Sequence, residues 1–148
     1  MRTITAALIA CAGFAFVPLA NAQLFSATRD VIAIAGGNLF IGEAEGHLNG
    51  GGTLAIHAQN DPALICRGDF TSSAALGGSG QLRCSDGSVS TFKFARLTTF
   101  TGHGKGSFGA SQMSFVYGLS AADAGPYLKL PEGKKLTHNG AELALADL

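Results

Sequence analysis

A glycine pair recurs along the chain at a near-constant interval, and this pattern limits the possible folds more than any other feature. The motif is Gly-x-Gly followed by alternating apolar residues, and it occurs at Gly50–Leu54, Gly78–Leu82 and Gly104–Phe108, an interval of about 26 to 28 residues. Apolar residues at every second position indicate strands with one buried face, because successive side chains point to opposite faces of a strand. Each unit therefore predicts a β-hairpin.

Each glycine pair is followed by a strand, a turn and a second strand with apolar residues at alternate positions. These second strands contain Cys66-x-Gly68-x-Phe70, Phe92-x-Phe94 and Phe115-x-Tyr117. Residues that favour tight turns lie at Asn60-Asp61-Pro62, Asp86-Gly87 and Asn139-Gly140. The alternation is blurred at Leu39–Ile41, where Phe40 is apolar as well. The sequence thus predicts an all-β fold, a small antiparallel sandwich or barrel built from glycine-punctuated hairpins.

One short helix is expected near residues 120–128. Ser120 and Asp123 have the spacing of a capping box, in which a hydroxyl and a carboxylate meet free amides at the start of a helix. Gly125-Pro126 limits this helix to about one or two turns. We expect Tyr117 and Tyr127 to pack at the helix junction with their hydroxyls at its edge. A last hairpin is predicted around residues 138–140.

The first 22 residues have the three parts of a secretory signal peptide. Arg2 supplies positive charge, residues 6–17 form an apolar stretch too short to span a bilayer stably, and Ala20-Asn21-Ala22 has the form of a cleavage site. Cleavage after Ala22 predicts a periplasmic or secreted protein that begins at Gln23. The alternative is a lipid anchor at Cys11, but cleavage before that residue would leave an unusually short apolar core.

The remaining chain has the size of one domain, about 126 residues of the 148. The predicted organisation is a signal peptide at residues 1–22, an N-terminal arm at 23–36 and a single β domain at 37–148. No second apolar segment approaches the roughly 20 residues that a membrane helix needs. The mature chain is therefore predicted to contain no transmembrane segment.

Two cysteines remain once the leader with Cys11 has been removed, and a pair in an exported chain predicts a disulfide between Cys66 and Cys84. If the strand that contains Cys66 pairs with the strand that contains Cys84, with Gly68 opposite Leu82, the two cysteines fall directly opposite each other. A bridge between two sheets is the alternative, because a direct cross-strand bridge is geometrically demanding.

The charge distribution excludes some classes of partner. Lysine and arginine together number 10, aspartate and glutamate also number 10, and Lys134-Lys135 is the only basic run. A nucleic-acid partner is therefore not expected, because binding a phosphate backbone needs a basic surface. The Gly-x-Gly motifs are followed neither by Lys-Ser/Thr nor by a strand-to-helix transition, as phosphate-binding loops require. We predict no cofactor.

One polar cluster, Glu43, Glu45 and His47, has residue types suited to a metal site or to acid–base chemistry. These residues occupy alternate positions and share one face of a strand. A rise of about 3.3 Å per residue puts Glu43 and His47 about 13 Å apart, too far to bind one ion without a bulge. The simpler interpretation is a solvent-exposed face, with Ala44 and Gly46 turned inward. The remaining histidines stand alone in the sequence and are expected at the surface: His57, His103 and His138.

Two stretches carry a resemblance to known proteins. Gly78–Phe94 and Gly42–His47 look like corresponding segments of a set of short exported proteobacterial proteins that are mainly uncharacterised, and this implies an address in the bacterial cell envelope. Leu82–Gly87 followed by Phe92–Phe94 is similar to the first hairpin of the periplasmic lysozyme inhibitors, which are small disulfide-stapled β-barrels. The inhibitory loop of that family has no recognisable counterpart in this chain.

These observations favour a non-enzymatic, exported β-rich module of the bacterial envelope that binds another envelope component or a protein. A first alternative is an inhibitor of a cell-wall hydrolase of the lysozyme type. A second is a small enzyme that uses Glu43, Glu45 and His47, which requires these side chains to converge within about 4 Å of one another.

Overall fold

The computed structural model describes residues 26–73 and 75–148. The strands are β1 (Ser26–Ala35), β2 (Asn38–His47), β3 (Gly51–Ala58), β4 (Ile65–Ser73), β5 (Gly77–Cys84), β6 (Val89–Arg96), β7 (Gly102–Phe108), β8 (Ser111–Tyr117), β9 (Lys134–Asn139) and β10 (Glu142–Asp147). The helix α1 (Ala121–Ala124) continues as a 3₁₀ turn at Gly125–Tyr127. The predicted all-β fold with one short helix is confirmed. The predicted leader, its cleavage site after Ala22 and Cys11 lie outside the described residues.

Strands β1 to β8 form a closed antiparallel barrel in which each strand pairs with the next along the chain. The barrel closes where Val31–Ala35 of β1 pairs with Met113–Tyr117 of β8. Of the two predicted architectures, the barrel is the one that forms. It consists of four successive hairpins, and the three glycine motifs lie in the second, third and fourth of them. Each of these eight strands therefore has a paired strand on both sides.

Every second residue of the barrel strands points inward, and apolar side chains fill the interior. The buried members include Val31, Ala33, Phe40, Leu54, Ile56, Cys66, Leu82, Phe92, Met113 and Phe115. Aromatic rings touch one another through the middle of the barrel. Phe92 packs edge-on against Phe115 with ring centroids 5.3 Å apart, and Phe94 packs in the same way against Tyr117 at 5.8 Å.

The repeated glycines make room for these rings. Each of three inward-facing glycines stands directly opposite an aromatic residue of the neighbouring strand: Gly52 opposite Phe70, Gly80 opposite Phe92 and Gly104 opposite Phe115. A methyl group on any of these glycines would collide with the ring of its partner. The Gly-x-Gly repeat is thus a packing requirement of the interior, where a ring lies over the backbone of the next strand.

A second apolar cluster lies outside the barrel, where the C-terminal part of the chain covers β8, β1 and β2. Ile32, Ile34, Leu39 and Val116 point outward from the barrel and pack against Ala124, Leu128 and Leu143. Strands β9 and β10 form a separate two-stranded sheet, the C-terminal hairpin. This hairpin was predicted from the sequence, and its Leu143 joins the cluster on the barrel wall.

The segment assigned to an N-terminal arm, residues 23–36, is not an arm over the part that the structure describes. Residues 26–35 form β1, pair with β2 along their whole length and help to close the barrel. The run Val31–Ala35 is continuously apolar because it is buried on both faces, inside the barrel and under the C-terminal segment. It therefore lacks the alternation by which the other strands were identified.

The predicted pairing of the two cysteines is confirmed. Cys66 and Cys84 lie directly opposite each other on β4 and β5 and form a disulfide, with Gly68 opposite Leu82. The bridge is therefore a cross-strand link inside one sheet, and both cysteines belong to the barrel interior. It joins two strands that already pair in register.

The helix begins at the predicted position, and the hydroxyl half of the predicted capping box forms there. Ser120 Oγ accepts a hydrogen bond from the backbone amide of Asp123 at 3.3 Å and donates one to the Asp123 carboxylate at 2.8 Å. The expectation for the tyrosines holds only for Tyr127, which lies in the 3₁₀ turn. Tyr117 instead points into the barrel, because its parity on β8 is that of Phe115. Its hydroxyl is buried with no protein partner in the described ranges, and burial raises its pKa.

Candidate functional site

Glu43, Glu45 and His47 lie on the outer face of β2, as predicted, while Ala44 packs toward the interior. The pairing of β1 with β2 runs without interruption from Ser26–His47 to Ala35–Asn38, so no bulge brings the three side chains together. Their spacing along the strand remains that of regular β structure, about 6.6 Å between alternate residues. The structure therefore does not assemble the acid–base site that the enzyme alternative requires.

Metal binding has no support in the part of the chain that the structure describes. No group of three histidine, cysteine, aspartate or glutamate side chains there is arranged to hold an ion. The histidines are dispersed: His57 on β3, His103 on β7 and His138 on β9.

Helical structure in the described residues is short, and no helix there has the length and apolar character needed to cross a membrane.

A wide groove runs over the outer face of β5 to β8. Its floor is the sheet surface, and one wall is the segment of residues 126–132, here called the strap, which follows α1. The groove has a volume of about 1900 Å³. Sites for small molecules usually enclose about 300 to 1000 Å³, so this groove has room for a larger ligand.

A row of polar side chains in register crosses the floor of the groove. Ser79 of β5 is paired with Lys93 of β6, Lys93 with Lys105 of β7, and Lys105 with Ser114 of β8. Strands lie about 4.8 Å apart, so this row extends about 14 Å across four strands. The two lysines at its centre are direct neighbours on adjacent strands, and both are exposed.

A second row beside the lysines consists of hydroxyl and amide groups. The hydroxyls of Thr91 and Ser107 are 3.1 Å apart, and Ser107 is paired with Gln112 of β8. All three residues line the groove and are exposed. These groups can both donate and accept hydrogen bonds.

Besides the packing of Leu128 in the outer apolar cluster, two specific contacts attach the strap to the floor. The backbone amide of Lys129 donates a hydrogen bond to Ser114 Oγ at 2.8 Å. The rings of His103 and Tyr127 are stacked, with centroids 4.5 Å apart and planes inclined by 22°. These contacts fix the strap close to the lysine row and place a third lysine, Lys129, in the lining of the groove.

Positive charge in the groove is not balanced locally. Its lining contains Lys93, Lys105 and Lys129 but only one acidic residue, Glu132. Within residues 26–73 and 75–148 the one ion pair is Lys134–Asp147, which lies in the C-terminal hairpin. Like charges directly opposite each other on adjacent strands destabilise a sheet, so the pairing of Lys93 with Lys105 lowers stability unless an anion lies between them.

Nothing in the sequence analysis singled out the groove. Lys93 stands between the inward-facing Phe92 and Phe94, and Lys105 stands between two glycines, so both could have been assigned to the outer face. Their direct pairing depends on the register between two hairpins, which no motif specifies. The strap forms the wall of the groove only because the chain turns back onto the barrel after α1, and no sequence motif specifies where it does so. The site is thus a product of tertiary structure.

The chain matches no protein-family model, and no curated protein and no solved structure shows significant similarity to it. The groove on β5 to β8 is the feature of the described residues that points to a function.

Proposed function

We propose that this protein is an exported, non-enzymatic module of the bacterial envelope that binds another envelope component or a protein through the groove on β5 to β8. The observation that carries the proposal is the pair Lys93 and Lys105, which lie side by side in an open groove with a single acidic residue in its lining. Arg67 and Arg83 form a like-charge pair outside the groove, so the pairing alone does not mark a binding site. In the groove, a ligand between the strap and the floor can supply the missing negative charge.

Site-specific photo-crosslinking in an expressing Gram-negative host tests this proposal. A photoreactive residue is placed at Gln112, in the groove, and separately at Thr53, on the outer face of β3 away from the groove. We expect a discrete crosslinked species from position 112 and none from position 53. The crosslink is expected to disappear when Lys93→Glu is added, because this change reverses one of the two central charges.

The lysine variants also need a stability measurement. We expect Lys93→Gln to leave the melting temperature unchanged or to raise it, because it removes a like-charge contact. Equal crosslinking at positions 112 and 53, or crosslinking that Lys93→Glu does not reduce in a folded protein, would contradict the proposal.

Export is the second part of the proposal. The Cys66–Cys84 disulfide and the finding that no described helix could span a membrane are compatible with an exported protein. Intact mass measurement of the protein from the periplasm tests it, with a chain that begins at Gln23 and lacks the two thiol hydrogens as the expected species. A lipidated chain that begins at Cys11 would instead support the lipid-anchor alternative.

Inhibition of a cell-wall hydrolase is a second candidate function. The observation in its favour is architectural: the chain forms a small closed barrel, and a disulfide joins β4 to β5, the first strand of the hairpin whose sequence resembles the periplasmic lysozyme inhibitors. It predicts that the purified protein slows lysozyme at near-stoichiometric ratios. Full lysozyme activity at a large excess of the protein would reject this candidate.

A further inference from the structure

We infer that the ligand of the groove is a linear anionic polysaccharide, a glycan that carries carboxylate or phosphate groups along its length. This inference rests on the proposed function and names the class of ligand. It begins from the size of the groove, whose volume of about 1900 Å³ and open length across four strands suit several units of a polymer. A compact metabolite would leave most of this space filled with water.

The central lysines specify negative charge. Lys93 and Lys105 project from directly paired positions, so their Cβ atoms lie about 5 Å apart. Two ammonium groups at this spacing can share one carboxylate or phosphate, and the anion removes their mutual repulsion. Lys129 on the strap adds a third positive charge on the side of Ser114.

The rest of the floor favours a sugar over a protein. The centre of a protein–protein interface is typically apolar and aromatic. In this groove apolar residues such as Leu130 and Pro131 lie on the strap, whereas the floor beside the lysines carries the hydroxyls of Thr91 and Ser107 and the amide of Gln112. Such groups donate to and accept from sugar hydroxyls. Tyr127, held in place by His103, supplies an aromatic surface at the wall.

Direct binding measurements with three defined probes test the inference. The probes are a short oligogalacturonate, which is a glycan with carboxylates; dextran, which is a neutral glycan; and polyglutamate, which has carboxylates but no sugar. Isothermal titration calorimetry at low salt gives the affinities. We expect oligogalacturonate to bind at least about tenfold more tightly than either of the other two probes. A phosphate-bearing teichoic-acid-type oligomer, in the same series, distinguishes carboxylate from phosphate as the preferred anion.

The chain offers a matched control for the lysine pair. Arg67 and Arg83 are also directly opposite each other, on the outer faces of β4 and β5, and they do not line the groove. We expect Lys93→Gln/Lys105→Gln to weaken oligogalacturonate binding at least about tenfold and Arg67→Gln/Arg83→Gln to change it less than about twofold. Both double variants remove two positive charges, so a general effect of net charge would weaken binding equally in the two.

A further variant separates sugar recognition from attraction between charges. Tyr127→Leu keeps all three lysines, and we expect it to weaken oligogalacturonate binding while leaving the weaker binding of polyglutamate unchanged. Polyglutamate binding as tight as that of the glycans, or equal losses in the lysine and arginine variants, would overturn the inference. If no glycan binds but the crosslink from position 112 persists and depends on Lys93, the polysaccharide is excluded and the proposed function stands. If no glycan binds and position 112 gives no crosslink that depends on Lys93, both the polysaccharide ligand and the proposed function are contradicted.

Discussion

Glycine acts in this protein mainly through the space it leaves free. Gly104 stands directly opposite Phe115, and a Cβ atom there would meet both the Phe115 ring and the backbone carbonyl of Lys93. Gly46 also occupies an inward position, on β2, yet a Cβ atom there would meet nothing within 4 Å. Two glycines in similar backbone settings are therefore required to different degrees.

Alanine substitution at these two positions tests this distinction. Gly104→Ala is expected to lower the free energy of unfolding by about 1 to 3 kcal/mol, because the interior has no room for the methyl group. Gly46→Ala is expected to be neutral or stabilising, since it restricts the unfolded chain without a collision. Urea denaturation of the oxidised proteins gives both values. Equal destabilisation by the two substitutions would show that backbone freedom, and not space, explains the glycines.

Tyr117 places a phenol where a phenylalanine would fit. Its hydroxyl is buried without a protein partner in the described ranges, and burial raises its pKa above the ordinary value of 10.0. The pKa of Tyr117 is higher in the folded than in the unfolded state. The protonated side chain therefore makes its full contribution to the free energy of unfolding below about pH 10, and this contribution is lost as the pH rises through the pKa of the folded state. Ionisation of Tyr117 thus favours unfolding in alkali.

Absorbance of the phenolate measures this directly, because the chain contains two tyrosines and no tryptophan. We expect a phenolate titration step above pH 10 that is absent in Tyr117→Phe. Tyr117→Phe is also expected to raise the free energy of unfolding by about 1 kcal/mol, because a buried hydroxyl without a partner is removed. A lower stability for Tyr117→Phe would indicate a hydrogen bond that compensates for the burial.

At the scale of the strands, the predictable part of the fold is the part with one buried face. The glycine motifs and the Phe-x-Phe pattern specify which side of β4 to β8 points inward, and the two cysteines specify the register between β4 and β5. Strand β1 was missed because Val31–Ala35 is buried on both faces. The glycine pair Gly36-Gly37, both with positive φ, was the available signal for the turn after it.

The disulfide joins β4, the last strand of the second hairpin, to β5, the first strand of the third. It closes a loop with a sequence separation of 18 residues, for which restriction of the unfolded chain contributes about 3 kcal/mol. We expect the double variant Cys66→Ala/Cys84→Ala to lose about that much free energy of unfolding and to keep the barrel, because the paired strands remain. Denaturation monitored by far-UV circular dichroism, with the reduced wild type as the control, gives the value. Loss of all β structure under native conditions would mean that the barrel depends on the bridge.

At the scale of the whole molecule, one chain forms a closed barrel and then covers part of it from outside. All the pairings that close the barrel lie within residues 26–117, whereas the groove also needs the strap that follows α1. The barrel wall under the C-terminal segment, which includes Val116 of β8, is apolar, whereas the outward side chains of β5 to β7 in the groove include Ser79, Thr91, Lys93, Lys105 and Ser107. This asymmetry separates a face used for folding from a face suited to binding.

Removal of the C-terminal hairpin tests this division of roles. A chain that ends at Glu132 keeps the barrel and the strap but loses Leu143, which packs on the outer apolar cluster with Ile34 and Leu39. We expect it to retain β structure by circular dichroism, to bind a fluorescent hydrophobic dye and to self-associate, because an apolar surface becomes exposed. Light scattering after size exclusion measures the association.

An unfolded product would show that the hairpin is needed to form the barrel, while a folded monomer that binds no dye would show that the apolar face needs no cover. The hairpin variant Lys134→Ala, which removes the one described ion pair and leaves the leucine in place, is the matched control and is expected to remain monomeric.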